Sequence, residues 1–457
     1  MNNPFVIQDL NCRKDIGANC LLVQVGPFRL VVDSGMDPKH LGNDSLPNFS
    51  LLGDQPIDFI ILTHSHLDHI GTLPILSKKA PKAPILVSIP TSLLAPLMLN
   101  NSYSVMCRQK KEKEIPEYPL FTKADVLALE KRFFTLNFGQ GYTLAKEGHS
   151  AKITMYPAGH VLGAVSVLIE YEGRQLFITG DILFSDQNSL RGAQIPQLDH
   201  LDVLMLETTR GSTERTALRR DEEKRLLSII RKTIERGGAC LIPAFALGRI
   251  QELLVLMYNA KRSHQLPNCP IFCSGLGMSL INTFDEMGKK LRSVNFSRHI
   301  LKQLNIKQLR RSKIDPHTTR LKRPAIYLLS SGMLAEHTPA YNIAACLLGD
   351  SDNSICFVGH CDPTTPGGQL LQNRNAETFT FEESHFTAPI KASIEHFDLS
   401  GHADRNDLYQ FAVLQHPKAV VLTHGDPDAR QWFADQFAKN ASGLKVLDPE
   451  VGVPYNL

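Results

Sequence analysis

The sequence predicts an α/β protein whose first domain is interrupted by a second α/β domain and then completed. Three observations carry this. Short β-branched runs alternate with helical stretches along most of the chain. A His or carboxylate repeatedly follows such a run, at His64, His160, Asp181, Glu207 and His424. That pattern lapses from about residue 208, where strands and helices alternate without it, and resumes near residue 391. The expected division is 1–207 for the first part of one domain, 208–390 for the insertion, and 391–457 for the completing part.

Taken in order, Leu21–Val25 and Phe28–Val32 read as strands joined at Gly26-Pro27, the second ending on Asp33-Ser34-Gly35. Ile57–Leu62 reads as a buried strand and leads into Thr63-His64-Ser65-His66-Leu67-Asp68-His69. Alternate residues of extended chain share a face, so His64 and His66 point the same way. The turn after Leu67 then aims Asp68 and His69 at a second point. Three imidazoles and a carboxylate so close together suit a pair of divalent metals; the plain alternative is a His-rich polar loop. Asp33 is either a turn residue or the acceptor that fixes the ring of a liganding His, and its neighbourhood favours the second role.

Further along, Ile85–Ser88 is a strand. Residues 101–123 are charged and poorly periodic, with Lys110 to Glu114 read as a solvated face, and Lys123–Arg132 reads as a helix. Ile153–Pro157 leads to Gly159-His160. A lone His there is ordinarily structural, but it repeats the arrangement at His64 and so reads as a ligand. Ser166–Tyr171 and Gln175–Thr179 flank a turn at Gly173, the second reaching Gly180-Asp181, and Val203–Leu206 ends on Glu207. Binding sites on layered sheets form at such strand tips.

The insertion begins with a helix over Arg219–Arg236, closed by Gly237-Gly238. Strand Cys240–Pro243, helix Arg249–Asn259, strand Pro270–Cys273, helix Gly277–Leu291, strand Ala325–Ser330, a helix near Tyr341–Leu347 and strand Ser354–Val358 follow, which implies a parallel sheet. Then Ser400-Gly401-His402-Ala403-Asp404 starts a helix, and Ala419–Thr423 ends on His424-Gly425-Asp426.

Composition narrows the class. A chain of 457 residues holds two or three domains, and 43% apolar with 21% charged residues is ordinary for a soluble protein. A net charge of +3 confines any nucleic-acid surface to a local patch. The nine cysteines are odd in number, scattered and without a C-x-x-C pair, which implies reduced thiols in a cytosolic protein. Cys269 and Cys273 come nearest to a zinc knuckle but lack a second pair, so they read as buried apolar residues. Met1–Phe5 has no leader character and no run reaches membrane length, so a cytoplasmic enzyme with no membrane partner is expected.

These motifs resemble those of the metallo-β-lactamase superfamily, in its β-CASP branch of nucleases. The resemblance rests on His64-x-His66-x-Asp68-His69, Gly159-His160-x-x-Gly163, Gly180-Asp181, Glu207-Thr208-Thr209-x-Gly211, Ser400-Gly401-His402 and Thr423-His424-Gly425-Asp426, all in family order. The segment from Gly237-Gly238 to Glu252 and the loop Ser330-Ser331-Gly332-Met333 are also similar to family segments. The resemblance implies an αββα sandwich with an inserted β-CASP domain. It implies one metal on His64, His66 and His160, a second on Asp68, His69 and His424, and Asp181 shared between them. Imidazole and carboxylate ligands without thiolate suit two zinc ions, with manganese or iron as substitutes.

The implied activity is hydrolysis of single-stranded RNA, most simply as an endonuclease in RNA processing or decay. Asp68 and Asp33 serve the metal centre, and His402, held by Glu207, is the general acid. Family members specific for RNA carry His at the position of His424. The insertion is expected to roof the metals and leave a slot for single-stranded chain, with Arg249, Ser331 and the Gly332 N–H as phosphate contacts. For Arg249 an ion-paired helix residue is the plain alternative. Two segments depart from the family pattern: Arg210 replaces a tyrosine, and Gly359-His360-Cys361-Asp362-Pro363-Thr364-Thr365 lacks a tyrosine and a glycine. A homo-oligomer or a partner subunit is compatible with the modest charge. The rival readings are a hydrolase of DNA or of another phosphodiester or ester on the same site, and an inactive β-CASP scaffold.

Overall fold

The computed structural model describes residues 5–198, 200–309, 314–441 and 443–457. The chain divides into two compact units, one of Met1–Asp186, Gly192–Glu214 and His402–Leu457, the other of Gln187–Arg191 and Arg215–Gly401.

The first unit contains two seven-stranded sheets. One runs in spatial order Pro454–Asn456, Phe5–Asp9, Leu21–Val25, Phe28–Val32, Phe59–Ile61, Ile85–Ser88 and Phe133–Leu136. The other runs Lys445–Leu447, Ala419–Thr423, Val203–Glu207, Arg174–Ile178, Val165–Tyr171, His149–Pro157 and Gly141–Lys146. Inward-facing residues of both, among them Val23, Leu30, Ile153, Val167, Leu176 and Met205, form one buried apolar cluster. Helices including Ile89–Glu112, Arg405–Leu414 and Pro427–Asn440 belong to the same unit. The expected mixed α/β sandwich is thus realised.

Parallel pairing decides where the site forms. Arg174–Ile178, Val203–Glu207 and Ala419–Thr423 lie side by side in parallel, with Leu206 opposite Leu422 and Glu207 opposite Thr423. Their C-terminal ends therefore share one edge. In the other sheet, Phe59–Ile61 runs parallel to Phe28–Val32, so Asp33 and Thr63 leave adjacent strands together. The second unit is built on a six-stranded sheet, Ile306–Gln308, Ile271–Cys273, Ala325–Leu329, Ala239–Pro243, Ser354–Val358 and Ser393–Phe397, in which every pairing is parallel, as expected.

Two expectations are corrected. The stretch 101–123 begins inside a 24-residue helix, Ile89–Glu112. Its buried stripe, Leu94, Ala95, Met98 and Leu99, lies mostly before residue 101, and only Ser102 and Met106 extend it. The charged residues Lys110, Lys111 and Glu112 occupy its exposed last turn, so the solvated-face reading holds while the irregular one does not. Second, Gly277–Leu291 is two helices, Leu276–Ser279 and Ile281–Lys290. Of the strands that went unanticipated, Ile306–Gln308 and Pro454–Asn456 are short edge strands with little alternation to read, whereas Phe5–Asp9 lies inside its sheet with alternate residues buried. All nine cysteines are free, with Cys269 and Cys273 buried. No helix among the described residues is long and apolar enough to cross a membrane.

Candidate metal centre

Every side chain of the site belongs to the first unit and sits at a strand tip or the start of a helix. His64 and His66 follow Phe59–Ile61, and Asp68 and His69 lie in the short helix Leu67–Ile70 that begins immediately afterwards. His160 follows His149–Pro157, Asp181 follows Arg174–Ile178, and His424 follows Ala419–Thr423. His402 precedes the helix Arg405–Leu414, whose N-terminus is capped by the Asp404 carboxylate.

The structure brings these groups to one place. His66 Nδ1 is 3.1 Å from both His64 Nε2 and His160 Nε2. Asp181 Oδ2 is 3.5 Å from His64 Nε2 and 3.6 Å from His160 Nε2. The same oxygen is 3.3 Å from His69 Nε2, which lies 3.2 Å from His424 Nε2. Asp68 Oδ2 is 3.5 Å from His424 Nε2 and 3.8 Å from His69 Nε2. Three groups with metal-ligand spacing result: His64, His66 and His160 with Asp181; Asp68 and His69 with His424; and Asp181, shared with the first group, with Glu207 and His402.

These spacings suit a metal centre and also fall within hydrogen-bond range. Nitrogen ligands at about 2.0–2.1 Å from a tetrahedral zinc ion are about 3.3 Å apart, close to what is found here. Asp181 supplies the second indication. Its Oδ1 is buried and accepts no hydrogen bond among the described residues, although His424 Nδ1 comes within 3.2 Å. A buried carboxylate oxygen left so is costly unless a cation is its partner. The residues present fit a pair of divalent cations.

Neighbouring groups fix which nitrogen each ring presents. Asp33, wholly buried and in the left-handed region with φ 62°, accepts from the Thr63 N–H and hydroxyl, both at 2.7 Å, and lies 2.8 Å from His69 Nδ1. Asn19 Nδ2 reaches the same Asp33 oxygen at 3.2 Å. His69 Nδ1–H is thereby engaged and Nε2 is the nitrogen turned to the cluster. Burial there opposes a charged ring but Asp181, Asp33 and Asp68 raise its pKa, so that a bound cation would take the place of the Nε2 proton. His424, also left-handed with φ 47°, is held on two sides. Thr209 Oγ1 is 3.0 Å from His424 Nδ1 and 3.2 Å from the His424 carbonyl oxygen. A hydroxyl that donates to the carbonyl accepts from Nδ1–H, which frees Nε2. Arg430, buried, donates to the Gly425 carbonyl at 2.8 Å and the Leu422 carbonyl at 3.2 Å, bracketing the turn that carries His424. Sequence reasoning anticipated Asp33 but missed Thr209, Asn19 and Arg430. Only Thr209, inside the quoted Glu207 motif, carried a signal.

The charges are mutually dependent. Burial alone raises the pKa of Asp68 and of Asp181, but His69 and His424 beside them, with His64 also near Asp181, hold both well below the usual carboxylate range. Burial, aided by His69, drives His64 toward the neutral form, the form a ligand needs.

His402 shares Asp181 with the first group and is bound chiefly to Glu207. Its Nδ1 lies 3.1 and 3.2 Å from the two oxygens of the buried Glu207, and its Nε2 is 4.0 Å from Asp181 Oδ2. Glu207 is itself anchored by the Ile182 N–H at 2.8 Å. Burial works against a charged His402, yet Glu207, Asp181 and Asp68 together outweigh it, so the pKa lies above the ordinary histidine value. An imidazolium fixed through Nδ1, with Nε2 turned toward the cluster, has a proton available at Nε2.

The proposed phosphate contacts lie in the second unit. Arg249 opens the helix Arg249–Arg262 and is buried, 3.4 Å from Gln187 Oε1. Burial and the adjacent Arg219 press its pKa down to about 9, while Glu252 opposes them. Ser331 Oγ accepts from the N–H groups of Ala335 at 3.0 Å and Met333 at 3.4 Å. A Cβ on Gly332 would come within 3.1 Å of the Phe245 nitrogen. Other histidines of this unit have ordinary roles: His396 Nε2 is 2.8 Å from the Gly359 carbonyl oxygen, and His337 pairs with Glu383 at 2.8 Å.

Three family descriptions match the chain: the metallo-beta-lactamase superfamily over residues 13–227, the Beta-Casp domain over 250–370, and the Zn-dependent metallo-hydrolase RNA specificity domain over 387–448. The chain is 28% identical over 449 residues to Integrator complex subunit 11 of Danio rerio, covering 95% of this chain and 71% of that protein. It is 26% identical over 456 residues to Endoribonuclease YSH1 of Yarrowia lipolytica, covering 97% of this chain and 53% of that protein. It thus spans between about half and seven tenths of these relatives' lengths. Among solved structures, a protein of unknown function from Enterococcus faecalis superposes with a TM-score of 0.59 at 13% identity, covering 99% of this chain and 100% of that one, which shows a shared fold.

Proposed function

The chain belongs to the β-CASP branch of the metallo-β-lactamase superfamily, and from that premise we propose that it hydrolyses phosphodiester bonds within single-stranded RNA. The observation that carries this reading is the convergence of seven ligand side chains, none missing, beside a histidine set up as a proton donor. One cation is assigned to His64, His66 and His160 and the other to Asp68, His69 and His424, with Asp181 common to both. The cations are zinc by ligand type, with manganese or iron able to substitute. Bound there, they would acidify water enough to make a nucleophile at neutral pH and would neutralise charge on a phosphoryl oxygen.

The protein's own groups do the rest. Asp33 and Thr209 hold His69 and His424 in the tautomer that presents Nε2. Glu207 helps keep His402 protonated and orients it, and His402 Nε2 delivers its proton to the leaving 3′-oxygen, a step worth roughly 10²–10⁴ in rate. An RNA substrate is supported by the RNA specificity domain matched over the segment that contains His424 and by a relative named as an endoribonuclease. Nine free cysteines suit a reducing, cytoplasmic setting.

The test is incubation of zinc-loaded protein with 5′-labelled single-stranded RNA and DNA, with His402→Ala as control. Internal cuts in RNA that the variant loses support the proposal. Cleavage of DNA alone, or no turnover with two metal equivalents bound, refutes it.

A further inference from the structure

Among the described residues, four exposed cations without a carboxylate partner lie along one edge of the second unit. Between Arg292 and Arg323 the sequence holds ten Lys and Arg against a single acid, Asp315, although the whole chain carries only +3. Lys302 lies in the last turn of the helix His299–Gln303. Two residues separate that helix from Ile306–Gln308, the edge strand of the six-stranded sheet, on which Lys307 sits. Leu309, Ile314 and Leu321 pack against the same apolar cluster as Phe272, so Arg320 and Lys322, either side of Leu321, face outward. They precede the strand Ala325–Leu329, two positions in from that edge, or roughly 10 Å at ordinary strand spacing.

Lys302, Lys307, Arg320 and Lys322 are all exposed, and their side chains have no carboxylate partner among the described residues. Three cations near them in sequence do have one. Lys289 pairs with Asp285 and Lys290 with Glu286, both at 2.6 Å, and Arg323 pairs with Asp350. Like charges gathered without counter-charge repel, and nothing in the packing requires them there. A polyanion supplies what the fold withholds.

We propose that this edge is a binding surface for the sugar-phosphate backbone of RNA, contacted through Lys302, Lys307, Arg320 and Lys322 without base specificity. The proposal rests on the reading of RNA as substrate and adds a hold on it outside the hydrolytic centre. Lysine and arginine side chains on an open edge suit a flexible single strand, whose phosphates they neutralise with release of counterions.

The experiment uses the full chain, with the four residues changed together to Gln, and a fluorescein-labelled 20-nucleotide polyuridylate in EDTA, so that binding is read without cleavage. Anisotropy titrations from 50 to 400 mM salt give the slope of log K against log salt. With four contacts at about 0.7 each, the variant's slope should be shallower by about 3, and its binding at 0.15 M weaker on the order of a hundredfold. Zinc content and hydrolysis of bis(p-nitrophenyl) phosphate should match those of the unaltered protein. An unchanged slope overturns the proposal, as does binding of phosphatidylserine vesicles without binding of RNA. Wild-type protein that binds the oligonucleotide through these residues yet never cuts RNA sinks the nuclease reading and leaves this surface standing. Cleavage together with unaltered binding by the variant does the reverse.

Discussion

Substituting Gly35 with Ala tests whether the metal centre depends on close backbone packing behind the ligands. The turn from Asp33 to Met36 is stitched to the ligand-bearing helix: Ser34 N donates to the His69 carbonyl at 2.7 Å, and Met36 N donates to the Leu67 carbonyl at 2.8 Å. A Cβ on Gly35 would fall 1.7 Å from the Asp68 carbonyl oxygen and 2.6 Å from Asn19 N. To reach even a 3.0 Å contact that carbonyl must retreat by about 1.3 Å, beyond the roughly 0.5 Å within which a site's side chains must be held. Overpacking of this kind costs about 1–3 kcal/mol. Displacing Asp68 and His69 together should weaken one of two bound metals by at least the ~10–100-fold typical of losing a ligand's support. Elemental analysis after dialysis against graded chelator measures this directly, with thermal unfolding in parallel. Gly349→Ala is the control, because a Cβ there meets only Pro389, at an ordinary 3.8 Å. Two metal equivalents held as tightly by Gly35→Ala as by the unaltered chain would refute the reasoning.

Four further outcomes are expected. Asp33→Ala leaves His69 Nδ1–H and the Thr63 N–H without their buried acceptor, so stability should fall by about 1–3 kcal/mol for each and one metal should be lost at lower chelator concentration; unchanged affinity would count against the orienting role. His402→Ala should reduce RNA cleavage roughly 10²–10⁴-fold with both metals retained, and Glu207→Gln less, as single-turnover rates and metal analysis on the same samples will show. Prolonged EDTA treatment should abolish cleavage and added zinc restore it; activity surviving with no measurable metal would exclude the dinuclear reading. Asp202, 2% exposed, bonds Lys418 at 2.7 Å, Arg174 at 3.2 Å and the Gln175 N–H at 2.9 Å. Burial raises its pKa but these partners hold it below the ordinary value. Its stabilisation is therefore complete above the unfolded pKa of about 3.9 and fades as pH falls through the folded value. Asp202→Asn should cost on the order of 1 kcal/mol at pH 7 and converge with the parent near pH 2 in denaturant titrations.

Much of the site was legible because several of its parts are local. His64-x-His66-x-Asp68-His69 advertises itself, since extended chain puts alternate residues on one face whatever the rest of the fold does. His160, Asp181, Glu207 and His424 were legible by analogy, each following a β-branched run. The end of the helix Ile89–Glu112 escaped because a charged, solvent-facing last turn has no apolar periodicity to display, while the apolar stripe Leu94, Ala95, Met98 and Leu99 was there to be read. Edge strands escaped because they bury little.

Convergence was another matter. His69 and His424 are 355 residues apart in the chain and 3.2 Å apart at their Nε2 atoms. That distance is set by the packing of the sheet that leads to His69 against the sheet that leads to His424, not by any spacing in the sequence. Arg430 acts on carbonyls that the fold happens to place beside it, so its side chain carries no advance sign of it, and Thr209 was marked only by the motif it sits in. The sequence by itself determined which chemical groups were available and which strand tip each would leave from. Only the tertiary structure decided that they meet, which nitrogen each ring turns inward, and which exposed cations stay unpaired, because those depend on distances across the sheets.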